Sequence, residues 1–198
     1  MVSSGYDTGV EELSLDDPIF RFLYRELGYL PQRTREACFV SFVRTIAGQQ
    51  LSGKAAQTIF RRLEQLCGGS ITPQEICSIH PEKFLQAGLS RAKASYVKDI
   101  AKLFADSDIT IAQLSTMSDH DLETALMKFR GIGPWSAKII MLFDFGRLNA
   151  FPCGDATLNK IFCEISGKPL AELPKQVEKW SPHAGIVAMY MWSYADSQ

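Results

Sequence analysis

The chain has 198 residues and a mass of 22.1 kDa, with 46% hydrophobic and 22% charged residues. That composition suits one domain, or two small lobes, and excludes wholesale disorder. Net charge is −1 but unevenly spread: residues 1–26 carry −4, residues 27–102 carry +6 and residues 103–198 carry −3, so a polyanionic partner is not excluded.

Residues 1–16 are polar, acidic and interrupted by glycine and serine. They read as a flexible lead, without the basic start or apolar core of a secretory signal. Asp17-Pro18 then reads as an N-cap with proline at the first helical position, opening a helix over 19–27 that stops at Gly28. Thr34 is expected to open a second helix, with Phe39, Val40, Phe42, Val43 and Ile46 on its apolar face. Ser52 is expected to cap a third, which runs to Cys67 and stops at Gly68-Gly69. Thr72-Pro73-Gln74-Glu75 is a capping box. Gly88 ends a short helix, Ser90 starts one reaching about Phe104, and Ser118 with Asp121 starts another reaching about Phe129.

Pro134 begins the next helix, which ends near Gly146; Asp155 or its neighbour begins one more, and Pro174 and Pro182 sit near helix starts. The pattern predicts about ten short helices and no strand, an all-α fold. The longest nearly apolar run, 184–192, is too short to span a bilayer. The five cysteines are widely spaced, with no C-x-x-C, and fit reduced thiols in an intracellular protein rather than a disulfide framework or zinc site.

Chemistry concentrates in L-M-K-F-R-G-I-G-P-W-S-A-K at 126–138. One helix ends, Gly131-Ile132-Gly133 turns the chain, and Pro134 starts another. The two glycines permit positive φ and close approach of the backbone to another molecule. Unpaired N–H groups at the next helix start, with the positive end of its dipole, suit a phosphate oxygen. Lys128, Arg130 and Lys138 add charge, with no acid between Glu123 and Asp144. Taken alone, the segment is equally a structural helical hairpin.

Four blocks carry a resemblance. The hairpin resembles the helix-hairpin-helix of the base-excision DNA glycosylases, the superfamily of endonuclease III and 3-methyladenine DNA glycosylase II. I-A-G-Q-Q-L-S-G-K-A-A at 46–56 is similar to that family's I-x-G-Q-Q-x-S-x-x-A-A motif. F-P-C-G-D-A-T-L at 151–158 places an aspartate about twenty residues after the hairpin, as the family does, and W-S-P-H-A-G-I-V-A-M-Y-M-W at 180–192 resembles the closing helix of the alkylpurine branch.

The resemblance implies a two-lobed helical fold, one lobe of 30–145 carrying the hairpin and the other of 17–29 plus 146–198, in a compact form without the N-terminal β-rich domain of the larger bacterial enzyme. It nominates Asp155 as the catalytic carboxylate. Breaking an N-glycosidic bond leaves cationic character on the sugar, which a fixed carboxylate stabilises while steering water. The competing reading is that Asp155 only caps the following helix. Asp144 is the rival acid.

The strand-cutting branch carries a Schiff-base lysine two residues beyond the second hairpin glycine. Here Trp135 stands there, which implies a monofunctional enzyme that leaves an abasic site. No cysteine follows Cys163, so no iron–sulfur cluster is expected; a monovalent cation at the hairpin is the one ion the resemblance suggests. An extruded, electron-poor alkylated purine would stack on aromatics. The resemblance puts Trp135 in the base pocket; Phe39, Phe22 and His183 are further candidates, and for each ordinary packing is the competing reading. Gln50 or Leu51 matches the side chain inserted into the duplex. Lys128, Arg130, Gly131, Gly133, Ser136 and Lys138 complete the expected DNA contacts.

The function implied is hydrolytic release of alkylated purines such as 3-methyladenine from double-stranded DNA, by a monomer in the cytoplasm, nucleoid or nucleus, with no membrane partner. His183 stands where that branch has an aromatic, and Ala184-Gly185 where it has arginine and a small residue. Those departures keep two alternatives open: a glycosylase for uracil or an oxidised or mismatched base, and a non-catalytic binder of damaged DNA.

Overall fold

The computed structural model describes residues 5–51 and 53–198. In chain order its helices are α1 (Gly5–Asp16), α2 (Pro18–Leu27), α3 (Phe39–Gly48), α4 (Gly53–Leu66), α5 (Pro73–Ser78), α6 (Pro81–Ala87) and α7 (Arg91–Ala105). There follow α8 (Ile111–Ser115), α9 (Asp119–Met127), α10 (Pro134–Phe143), α11 (Ala156–Ser166), α12 (Leu173–Trp180) and α13 (Ala184–Asp196), with a 3-10 turn at Leu170–Glu172. No strand occurs among the described residues, so the fold is all-α. None of the helices among them is long and apolar enough to cross a membrane.

Local signals set most of these boundaries. Asp17 accepts the Phe20 N–H at 2.8 Å and caps α2, while Gly28 closes it at φ 68°. Thr72, Ser90 and Ser118 each accept the N–H three residues on, opening α5, α7 and α9. Ser52, the expected cap of α4, lies outside the described residues.

Two expectations are corrected. Residues 5–16 are the helix α1, not a flexible lead: Tyr6, Val10 and Leu13 fall on one face at helical spacing and are buried. Thr34 opens no helix, because α3 begins only at Phe39. The intervening backbone is held by distant partners instead. Tyr6 donates to the Leu30 carbonyl at 2.9 Å, the Leu30 N–H donates to Tyr190 at 3.1 Å, and the Arg35 N–H donates to the Phe143 carbonyl at 2.7 Å.

The chain divides into two compact units, Met1–Arg35 with Met141–Gln198, and Glu36–Ile140. In the first, α13 is the central helix, buried continuously from Ala184 to Met191. Gly185 permits its close packing, since a Cβ there would lie 2.8 Å from the Leu148 carbonyl oxygen. Around it lie Phe20 and Leu23 of α2, Ile161 and Phe162 of α11, and Trp180 of α12. In the second unit α3 and α7 form the core. A run of rings, Phe39 to Phe104 (5.5 Å), Phe104 to Phe42 (5.3 Å) and Phe42 to Phe129 (5.5 Å), ends at the entry to the Gly131–Gly133 bend. Burying each such ring is worth about 2–3 kcal/mol, so the bend is rooted in the core.

Candidate functional site

In the unit 36–140, α9 ends at Met127 and the chain turns over Phe129 and Ile132, both buried. The Ile132 N–H donates to the Phe129 carbonyl at 3.0 Å, Gly131 takes φ 86°, and Pro134 opens α10. A Cβ on Gly131 would lie 2.2 Å from the nearest Tyr96 ring carbon, so this glycine is required by packing as well as by φ. Gly133 is exposed, and a Cβ there would meet nothing within 4 Å. The surface suited to close approach is therefore at Gly133 and the α10 N-terminus, the positive end of that helix dipole.

The cations around the bend have partners that sequence order hides. Arg130 pairs with Asp99 at 2.6 Å and lies 5.4 Å over the Tyr96 ring. Lys138 pairs with Glu123 at 2.5 Å. Lys128 is exposed at the C-cap of α9. Ser136, expected on DNA, is 4% exposed and accepts a hydrogen bond from Gln49 at 3.0 Å, so it serves the interior of the hairpin. Gln49 also donates to the Gly131 carbonyl at 2.6 Å. Next to it Gln50 adopts φ 57°, and both Gln50 and Leu51 are exposed.

Of the expected pocket aromatics, Trp135 is 39% exposed at the start of α10. Phe39 is 7% exposed and packs tilted against Phe104, which makes it a core residue. In the other unit, Phe22 packs edge-on to Tyr194 at 5.6 Å and lines a cavity with Ile165 and Ser166. Those two residues lie at the C-terminal end of α11, while Asp155 lies at its N-terminal end. The helix is roughly 16 Å long, so Phe22 is far from that carboxylate. His183 meets Glu12 of α1 at 2.9 Å and packs against Gly9, lining a cavity with Leu13 and Lys179 rather than with Asp155.

Asp155 is the N-cap of α11. Its Oδ1 accepts the Leu158 N–H at 3.0 Å, and its own N–H donates to the Pro152 carbonyl at 2.9 Å. Below the turn, Phe151 and Pro152 are buried, with Phe151 tilted against Trp180 at 5.6 Å. Above it, Cys153 and Gly154 are exposed and Asp155 is half-buried. A carboxylate there is oriented by the helix start it caps, yet stays reachable by solvent. The rival Asp144 has a fully buried side chain, paired at 3.0 Å with Arg35, and serves the interior.

An all-helical chain with a Gly-x-Gly hairpin, followed 22 residues on by a helix-capping aspartate, defines a class. The chain belongs to the HhH-GPD superfamily of base excision DNA repair proteins, whose family model matches residues 43–181. It is 27% identical to YfjP of Bacillus subtilis over 161 residues, spanning 76% of this chain and 56% of that protein. It is 27% identical to the alkylbase DNA glycosidase-like protein mag2 of Schizosaccharomyces pombe over 199 residues, covering 96% of this chain and 93% of that one. The structure of the Schizosaccharomyces pombe 3-methyladenine DNA glycosylase Mag1 in complex with abasic DNA superposes with a TM-score of 0.85 at 25% identity, covering 96% of this chain and 97% of that one.

Proposed function

We propose that this protein is a monofunctional DNA glycosylase that hydrolyses the N-glycosidic bond of alkylated purines, 3-methyladenine-like bases first, extruded from double-stranded DNA. The observation that carries the reading is a half-buried carboxylate, Asp155, capping a helix 22 residues beyond the Gly-x-Gly bend. Relatives named for alkylated bases and 3-methyladenine support the substrate class.

In this reading Gly133 and the α10 N-terminus grip a phosphate, and Gln50 or Leu51 fills the space the base leaves. Trp135 offers its exposed face to the electron-poor purine. Alkylation has already made the base a good leaving group. As the C1′–N bond breaks, Asp155 stabilises positive charge on the sugar and orients water. The water oxygen bonds to C1′, its proton is taken up by the carboxylate or solvent, and an abasic sugar and free base remain. An indole at position 135 cannot form a Schiff base, so the strand stays uncut. A monovalent cation fits the hairpin, where the Phe129 and Gly131 carbonyls, each accepting one N–H, keep a second lone pair. No step runs through it, and no iron–sulfur cluster is involved. The protein acts inside the cell as a monomer.

The test is chromatographic identification of bases released from methylated duplex and from uracil-containing duplex. Release of methylated purines, lost in Asp155→Asn, is expected. Asparagine caps a helix about as well as aspartate, so the variant keeps its fold while base release falls by about 10²–10³-fold. Release of uracil alone moves the substrate assignment; no release from either duplex, with tight binding to abasic DNA, favours a damage binder.

A further inference from the structure

The turn that follows α3 and the Gly131–Gly133 bend, 82 residues apart, are tied together by the Gln49 side chain, while Lys93 ties the same turn to α7. Helix α3 ends at Gly48, and its last carbonyls need donors from elsewhere. The Gln49 and Leu51 N–H groups serve the Ile46 and Gly48 carbonyls, and Lys93 of α7 serves the rest of the turn: its Nζ donates to the Ala47 carbonyl at 3.1 Å and to the Gln49 carbonyl at 2.6 Å. The Gln49 side chain then reaches the other way, donating to the Gly131 carbonyl at 2.6 Å and the buried Ser136 hydroxyl at 3.0 Å. Immediately after these anchors the chain enters the left-handed region at Gln50, φ 57°, a conformation uncommon for a residue with a Cβ. Gln50 and Leu51 stand exposed directly beyond the anchored Gln49.

We infer that Lys93 and Gln49 are positioning residues that lock the Gln50–Leu51 turn to the hairpin, so that gripping a phosphate at the hairpin delivers the turn into the duplex in register. The inference rests on the glycosylase reading above. Lys93 is suited to the task because an ammonium has three donors on one atom and can hold two carbonyls at once. Gln49 is suited because its amide donates to both hairpin acceptors, whereas a carboxylate of the same shape has no proton to give and would face the Gly131 carbonyl lone pair to lone pair. Neither residue touches the base or the reacting sugar in this scheme. Their effect is felt where base extrusion is costly and fades where it is cheap.

Lys93→Met removes the donors at nearly constant length, Lys93→Arg keeps a cationic donor, and Gln49→Glu replaces the donor by an acceptor. Each is compared with wild type in thermal melting, in affinity for undamaged duplex, and in single-turnover release of a methylated purine from two substrates: one fully paired, one with the lesion in a one-nucleotide bulge. For Lys93→Met and Gln49→Glu the expected result is duplex affinity within about threefold of wild type, release from paired DNA at least tenfold slower, and release from the bulge within about threefold. Lys93→Arg recovers at least half of the paired-DNA rate. Equal loss on paired and bulged substrates, tracking the fall in melting temperature, overturns the inference in favour of plain structural support. A tenfold loss of duplex affinity with an unchanged rate once bound overturns it in favour of a direct phosphate contact. If wild type releases no base, the glycosylase reading fails separately. The positioning is then read from 2-aminopurine placed beside a stable abasic analogue: fluorescence raised by wild type and not by Gln49→Glu supports it, and equal fluorescence overturns it.

Discussion

A methyl group added at Gly131 would run into Tyr96, whereas one added at Gly133 would project into open space. Two glycines that look alike in a G-x-G motif thus do different work. Gly131→Ala combines left-handed strain with overpacking, about 2–4 kcal/mol together, and should lower the denaturation midpoint markedly. Gly133→Ala should leave stability within about 0.5 kcal/mol yet weaken duplex binding about tenfold, alike for all sequences, because a phosphate can no longer approach the backbone. Denaturant melts and fluorescence anisotropy on several unrelated duplexes separate the two; a sequence-dependent loss at Gly133 would contradict phosphate gripping. The hairpin itself was legible because its signal is local: two glycines, a proline and a helix on either side. So was the Asp155 cap, which bonds only three residues along. Arg130 and Lys138 were legible as charges but not as ion pairs, since Asp99 and Glu123 lie 31 and 15 residues away. Ser136 and Phe39 depart from expectation for a related reason, both being buried. A residue type says what a side chain can do, while burial, which the fold decides, says whether it faces a ligand.

At the scale of elements, the caps and glycine stops were readable, and the segments held by tertiary contacts were not. Helix α1 carries Gly5 and Gly9, which lower its intrinsic propensity, and ends on Asp16 with no basic residue in its last turn, against the helix dipole. Gly9 is nonetheless needed, because a Cβ there would lie 2.6 Å from His183 and Ile186. The segment after Gly28 stays extended because Tyr6 and Tyr190 take up both sides of Leu30. That clasp makes a pH prediction. Burial pushes the Tyr6 hydroxyl well above its ordinary value of 10, and burial raises Tyr190 as well, against the Leu30 N–H bond, which opposes the rise. A folded-state pKa above the unfolded one means that the unfolded chain loses its phenolic protons first. The stabilisation is therefore complete below pH 10 and declines as pH rises beyond it. Tyr6→Phe should cost about 1 kcal/mol near neutrality, by orphaning the Leu30 carbonyl, and should flatten the alkaline decline. Melting temperatures from pH 8 to 11 test this, and an unchanged slope in the variant would remove Tyr6 as its source.

Over the whole chain the net charge of −1 conceals an internal division. The unit Met1–Arg35 with Met141–Gln198 carries nine basic and twelve acidic residues, and Glu36–Ile140 carries twelve basic and ten acidic. An excess of only two positive charges in the unit that bears the hairpin argues against affinity by bulk electrostatics. Duplex binding should instead depend on a few placed phosphate contacts, with a shallow salt dependence. Each neutralised phosphate contributes about −0.9 to the slope of log K against log salt, so two to three contacts give about −2 to −3. The Arg130–Asp99 pair is the place to test this, because both partners are exposed, with side chains 66% and 43% accessible. Exposed pairs add little to stability, so breaking this one should barely move the melting temperature. Asp99→Asn removes a negative charge beside the bend and releases Arg130 toward the backbone of DNA. Affinity for undamaged duplex should rise about threefold at low salt, the slope should steepen by up to about one, and the gain should vanish at high salt as screening removes it. An affinity that falls or stays level in Asp99→Asn at low salt would mean that Asp99 holds Arg130 in the posture DNA needs, and that the pair acts as a preformed contact rather than as a brake.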